Sequence, residues 1–320
     1  MKNKIITLCL VCGLSVMQST VMVAAATSSF LQGYDTEEGQ LQFYMASQDY
    51  TVAADNLEVT LGGEEVPVAL IETTSSVPVT YYCLTDVSGS MRDEQFAQAK
   101  EVLQAICDGM SEGDNMVLAT LGNNVETTGF LSDSEAVSEA IRALSVGNED
   151  TNLYSGIVES IRLLEENTAV CQRKCLVILS DGKDDQKTGI TKSEADNAIM
   201  DSRIPVYTVA TLRSEQTEEQ LADAKILGSF ANESAGGIHY APVLMEGQNG
   251  STVGTDIVTS MKQGLKVTAD ISGYQAARDL VLLRVIYQNI GNVSVEDTME
   301  VYAQDLKYAL PETDPTEQES

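Results

Sequence analysis

The chain has 320 residues, enough for one large domain or two ordinary ones, and its 43% hydrophobic and 21% charged content is that of a globular protein with ample core. Its formal net charge of −29 repels nucleic acid and anionic membrane, which argues against nucleic-acid binding and favours attraction of cations. Outside the extreme N-terminus no stretch is apolar enough to span a membrane, so no stable membrane span is expected in the mature chain.

Residues 1–26 read as a signal peptide. Lys2 and Lys4 form the charged region, Ile5 to Val23 is largely apolar, and Ala24-Ala25-Ala26 satisfies the small-x-small cleavage rule, so the mature chain is expected to begin near Thr27. An uncleaved anchor helix is the other reading of the same apolar length. Cleavage removes two lysines and no acids, moving the net charge from −29 to −31. The expected location is secreted or at the cell surface. Residues 27–38 look like an exposed leader. From Gln40 to Thr73 the pattern is strand-like, with Leu41, Phe43 and Met45 alternating, then Leu57, Val59 and Leu61, then Val66, Val68 and Leu70, the last two runs separated by Gly62-Gly63.

Residues 77–91 change character. Val77, Val79, Thr80, Tyr81 and Tyr82 form a buried-strand run without clean polar alternation, which stops at a polar cluster of Asp86, Ser88 and Ser90. A helical stripe follows over 92–110, with Phe96, Ala99, Leu103, Ile106, Cys107 and Met110 on one face, so the cluster sits on a strand-to-helix turn. Strand and helix then alternate: strands at 115–121, 125–131 (an antiparallel edge), 175–181, 204–210 and 236–240, and helices at 134–144, from Leu153 to Leu164, at 192–201, 217–232 and around Ile257, Met261 and Leu265. Such alternation predicts a mostly parallel sheet covered on both faces, and in such sheets ligands bind at the carboxyl ends of the strands.

After residue 264 short strands return at 265–271, 280–287 and 299–303. Two or three strands cannot bury a stable core, so they are expected to join the strands at 40–73. The domain plan is therefore residues 27–75 and 265–307 as the two halves of one β-sandwich, with 76–264 inserted between them. Insertion requires that the ends of the inserted unit lie close together. Residues 308–320 form an acidic, proline-bearing tail without apolar periodicity, expected to be disordered. Its Leu310-Pro-Glu-Thr313 is similar to a sortase signal but is followed by Asp314 where glycine is required, so cell-wall anchoring is not expected.

Asp86-x-Ser88-x-Ser90 alone is short, and a helix cap would explain it equally well. Two further stretches add to it: Asn148-Glu-Asp-Thr151-Asn-Leu153, which opens a helical segment, and Cys175-Leu-Val-Ile-Leu-Ser-Asp181-Gly182, a second apolar strand ending in Asp-Gly. Over roughly residues 76–264 the chain resembles the von Willebrand factor type A domain family, and exported bacterial surface proteins with such a domain look similar. The resemblance implies a doubly wound, Rossmann-like α/β sheet of six strands carrying a metal-ion-dependent adhesion site. Matched position by position, that site is Asp86, Ser88, Ser90, Thr151 and Asp181.

Three hydroxyls and two carboxylates suit a hard cation, Mg²⁺ or Mn²⁺. The resemblance implies that Ser88, Ser90 and Thr151 coordinate directly, that Asp86 and Asp181 bind directly or through water, and that one open position accepts an aspartate or glutamate from a partner protein. Asp184 and Asp185 nearby read as a solvated loop, the other reading being that they steer cations inward while opposing an anionic ligand. The function expected is an exported, metal-dependent protein-binding module in adhesion or surface assembly. The alternatives are a surface protein whose metal mainly stabilises the fold, or a metal-assisted hydrolase. No enzyme is expected, since no Gly-x-Ser-x-Gly elbow, Walker loop or Gly-x-Gly-x-x-Gly fingerprint is present and His239, the single histidine, reads as structural. Of the cysteines beyond the signal peptide, Cys83 and Cys107 read as core thiols, and Cys171 and Cys175 lack the spacing of a redox or zinc site.

Overall fold

A computed structural model describes residues 29–37, 39–46, 56–91, 93–186, 188–212, 216–241, 249–288 and 293–307, with Asp93 and Lys307 described in their backbone alone. The expected signal peptide and acidic tail lie outside the described residues. In chain order the elements are β1 (Leu31–Glu37), β2 (Gln40–Met45), β3 (Leu57–Leu61), β4 (Glu64–Glu65), β5 (Val68–Thr73), β6 (Val79–Asp86), α1 (Asp93–Gly109), β7 (Asn115–Leu121), β8 (Val125–Thr127), α2 (Ser134–Ala143), α3 (Leu153–Glu166), β9 (Arg173–Ser180), α4 (Lys192–Ser202), β10 (Val206–Ala210), α5 (Glu218–Glu233), β11 (His239–Tyr240), α6 (Gly250–Lys262), β12 (Leu265–Asp270), β13 (Leu280–Gln288), β14 (Ser294–Tyr302) and α7 (Ala303–Lys307).

The central sheet has the order β11-β10-β9-β6-β7-β8, parallel throughout except for β8, which pairs antiparallel with β7 at one edge. All eight residues of β6 are buried, because helices cover both faces and leave its apolar run no solvated side. Tyr81 packs on one face with α1, α2 and α6, and Tyr82 on the other with α3, α4 and α5. The helices begin where short polar side chains can satisfy their first N–H groups. Thr191 and Thr217 form capping boxes with Glu194 and Gln220, and Asp133 and Asn249 cap α2 and α6. Helix α6 lies tightly on α1, since a Cβ at Gly254 would collide with the Val102 carbonyl.

The strands on either side of this unit interleave. One four-stranded sheet has the order β1-β2-β12-β5 and the other β14-β13-β3-β4, so each contains strands from both ends of the chain. Leu41, Phe43, Leu61, Val267, Leu283 and Val301 share one buried core between them, and each such side chain contributes about 1.5–3 kcal/mol through burial. The fold is thus a doubly wound α/β sheet inserted in a β-sandwich. The two connections meet at the amino ends of the central strands: Thr74 N donates to Gly264 O (2.9 Å) and Lys262 Nζ donates to Val77 O (3.3 Å). Asp114 locks this corner by accepting from Val79 N, Ser111 N and Lys262 Nζ, each at 2.8 Å.

Several expectations need correction. Residues 31–37 are not an exposed leader but the edge strand β1, and Phe30 and Leu31 are buried. A register shift between Leu31 and Tyr34 breaks the alternation that would have marked this strand. Val66, Val68 and Leu70 do not share an inward face. The chain crosses from one sheet to the other after β4, and Leu70 ends 50% exposed. Leu265 begins β12 rather than closing α6, and β14 starts at Ser294, five residues before the expected strand. The edge strand expected over 125–131 is shorter, spanning Val125–Thr127, with Leu131 making a separate bridge to Met116.

Arg203, the residue after α4, joins the two parts. Its guanidinium donates to Asp297 Oδ1 (3.1 Å) and Oδ2 (3.3 Å), to Ser29 Oγ and to Thr298 O. Asp297 also accepts from Phe30 N (2.8 Å), Leu31 N (2.9 Å), Ser29 Oγ (3.1 Å) and Thr298 N (2.7 Å). All four cysteines in the described residues are free, with Cys83, Cys107 and Cys175 buried. Among the described residues no helix is long and apolar enough to cross a membrane.

Candidate metal centre

Because β6 and β9 are parallel neighbours with Thr85 opposite Leu179, their last residues, Asp86 and Ser180, arrive side by side at the carboxyl edge of the sheet. Asp181 follows at once. Gly182 makes the turn beyond it with φ +92°, and a Cβ there would meet the backbone of Asp223 at 2.5 Å, so both conformation and space call for glycine.

Asp86 is the hub. Its Oδ1 accepts from Ser88 N (2.9 Å), closing the turn after β6, and from Thr151 Oγ1 (3.5 Å). Its Oδ2 accepts from Ser180 Oγ (2.8 Å). Ser88 Oγ and Ser90 Oγ lie 3.0 Å apart. The loop before α3 is held down by Gly147 N donating to Val87 O (2.6 Å) and Gly89 N to Glu149 O (3.3 Å), which brings Thr151 over the turn. Asp86, Ser88, Thr151 and Asp181 are all buried. Burial pushes the Asp86 carboxyl above the usual carboxylate range; hydrogen bonds from Ser88 and Ser180 oppose the shift, and the charge of Asp181 adds to it. Hydrogen bonds join four of the sequence-predicted residues, and Asp181, next to Ser180, is close enough to act electrostatically on Asp86.

Three side chains that the sequence did not single out as part of the site frame it. Ser180 bonds Asp86. Asp185 accepts from Thr151 N through Oδ2 (3.3 Å) while its own N–H donates to Thr151 O (2.8 Å), and it pairs with Lys183 at 2.5 Å. Asp184 Oδ1 accepts from Tyr154 N (3.3 Å) in the first turn of α3, where the N-cap residue Asn152 makes no side-chain cap bond. The expectation of a solvated loop at 184–185 is therefore corrected: these carboxylates bind backbone N–H groups that face them. No local sequence pattern marks such a partnership, because each joins segments about 30 residues apart.

The donor set is all oxygen and rich in hydroxyls. Among the described residues no three His, Cys, Asp or Glu side chains cluster as metal ligands, and no Lys, Arg or His forms an ion pair with Asp86 or Asp181. Two close carboxylates without a basic partner, beside three hydroxyls, fit a small hard cation. His239 is remote from this chemistry: its Nδ1 lies 2.8 Å from Thr208 Oγ1 on β10 and its ring packs beside Gly228 of α5.

The family model described as von Willebrand factor type A domain matches residues 82–241, half of the chain. Inter-alpha-trypsin inhibitor heavy chain H1 of Homo sapiens is 30% identical over a 140-residue alignment that covers 39% of this chain. The match spans only 15% of that relative's length. Among solved structures, a von Willebrand factor type A protein from Catenulispora acidiphila is 12% identical, with a TM-score of 0.47, covering 88% of this chain and 76% of its own. An aerotolerance-related membrane protein from Bacteroides fragilis is 16% identical, with a TM-score of 0.46, covering 57% of this chain and 98% of its own. By the extent of the family match and the sheet order that accompanies it, this chain belongs to the von Willebrand factor type A domain family.

Proposed function

We propose that this chain is a metal-ion-dependent protein-binding module in which Asp86, Ser88, Ser90, Thr151 and Asp181 hold Mg²⁺ or Mn²⁺. The observation that carries the reading is the junction at Asp86, whose carboxylate is within 3.5 Å of donors from the turn after β6, from the Thr151 loop and from the end of β9. The hydroxyls of Ser88, Ser90 and Thr151 provide neutral oxygens, while Asp86 and Asp181 provide the charge and orient the hydroxyls. A bound divalent cation supplies a Lewis-acidic centre for a carboxylate oxygen, and the partner class is a protein presenting an aspartate or glutamate. Exported on the strength of residues 1–26, such a module acts in adhesion or surface assembly and performs no turnover.

Titration calorimetry of Mg²⁺ and Mn²⁺ into the full chain and into Asp86→Ala tests the site. Retention of surface-extract proteins in Mg²⁺ against EDTA, repeated with Asp86→Ala and Asp181→Ala, tests the function. The expected result is metal binding by the wild type alone, with metal-dependent partners lost in both variants. Metal binding that raises the melting temperature without any metal-dependent partner would assign the site to fold stability instead.

A further inference from the structure

The shortest of these hydrogen bonds to Asp86 comes from a side chain outside the five-residue constellation. Ser180 is fully buried at the end of β9. Its hydroxyl donates to Asp86 Oδ2 (2.8 Å) and accepts from Gly182 N (3.0 Å), and its carbonyl accepts from Thr211 N (3.0 Å) at the end of β10. One hydroxyl therefore acts on both carboxylates. It fixes the rotation of Asp86, whose carboxylate torsion is otherwise soft, with Oδ1 turned to Ser88 and Thr151. It also closes the turn that sets where Asp181 stands.

We propose that Ser180 is a positioning residue of the metal centre, setting its affinity by holding Asp86 and the Asp181 turn in one geometry without itself being a ligand. The inference rests on the reading of the site given above. A hydroxyl is the group required, because a single O–H both donates to one carboxylate and accepts from a backbone N–H. Alanine removes both bonds in a place that water cannot refill. Outer-shell partners of this kind typically change metal affinity by about 10–100-fold when removed.

The test is Mn²⁺ affinity of the full chain, by calorimetry, for wild type, Ser180→Ala and Ser180→Thr, with thermal unfolding of each in EDTA. Ser180→Ala is expected to bind Mn²⁺ about 10–100-fold more weakly while keeping a cooperative unfolding transition in EDTA. Ser180→Thr, which restores the hydroxyl, is expected to recover most of the affinity, and that rescue separates positioning from general packing. Equal affinity in wild type and Ser180→Ala overturns the proposal, as does a folded Ser180→Thr with no recovery. Should Ser180→Ala fail to fold, Ser180→Cys decides: its weak S–H donor is expected to lose affinity, and wild-type affinity there overturns the proposal. If the wild type binds no Mn²⁺, the reading of the site itself fails, a result distinct from every one of these.

Discussion

The contact between Arg203 and Asp297 fastens the inserted unit to the sandwich, and its two halves should differ in cost when removed. In Arg203→Ala the Asp297 carboxylate keeps four donors, Phe30 N, Leu31 N, Thr298 N and Ser29 Oγ. The Asp297 carboxylate is not stranded, so the loss is chiefly that of charge-assisted hydrogen bonds, about 2–3 kcal/mol. In Asp297→Ala a largely buried guanidinium loses its counter-charge and two backbone N–H groups at the start of β1 lose their acceptor. That loss resembles the breaking of a buried pair, about 3–5 kcal/mol. Arg203 also has left-handed backbone geometry (φ 56°), so Arg203→Gly should be roughly 1 kcal/mol more stable than Arg203→Ala. Equilibrium urea unfolding followed by far-ultraviolet circular dichroism gives all three values. If Asp297→Ala costs no more than Arg203→Ala, or if both cost under about 0.5 kcal/mol as an exposed pair would, the seam is not the fastening described.

Three other outcomes follow from the same geometry. At a concentration of 100 times its dissociation constant, Mg²⁺ or Mn²⁺ should stabilise the wild type by about 2.7 kcal/mol and Asp86→Ala not at all, measured as the metal-dependent shift in unfolding free energy. Asp114→Ala strands Val79 N and Ser111 N and takes the counter-charge from Lys262, whose Nζ keeps Val77 O, and should cost about 3–5 kcal/mol in urea unfolding; a cost under 1 kcal/mol would show that the corner is not locked by this carboxylate. Burial lowers the His239 pKa, with its Thr208 hydrogen bond opposing, so the unfolded chain takes up the proton first as pH falls and His239 contributes stability that declines below the unfolded imidazole pKa of about 6.5. The stability of the wild type relative to His239→Gln should therefore fall between pH 7.5 and 5, and parallel pH profiles would refute it.

The alternating unit was legible in the sequence because its strands are continuous apolar runs and its helices carry one-sided stripes. Tyr81 to Leu84 and Leu176 to Leu179 have no polar interruption, and burial on both sheet faces is the consequence. Asp86, Ser88 and Ser90 were legible for a related reason, as the polar cluster where such a run stops, and Asp181 follows another run; Thr151, in a loop, was singled out as a candidate only by the resemblance to the domain family. What stayed hidden was pairing between distant segments. Leu31 lies in a strand whose alternation a register shift disrupts, and Leu70 follows a crossing between sheets, which one strand's pattern cannot encode. Ser180 is invisible for the opposite reason, since a small hydroxyl at the end of a strand reads like any other. Only the neighbouring strand reveals that its partner is Asp86.

The covalent exits of the inserted unit, at Thr74–Pro78 and Gly264, stand together at one edge of its sheet, while the Asp86 turn stands at the other. Eight residues of β6 separate the two, a span of about 26 Å. Force applied at the Asp86 turn against these exits would load β6 and its parallel neighbours β7 and β9 lengthwise. Rupture along that direction must shear many ladder bonds at once, whereas peeling would break them in succession. Mechanical endurance is thus built into where the chain enters and leaves, independently of how tightly any ligand is gripped.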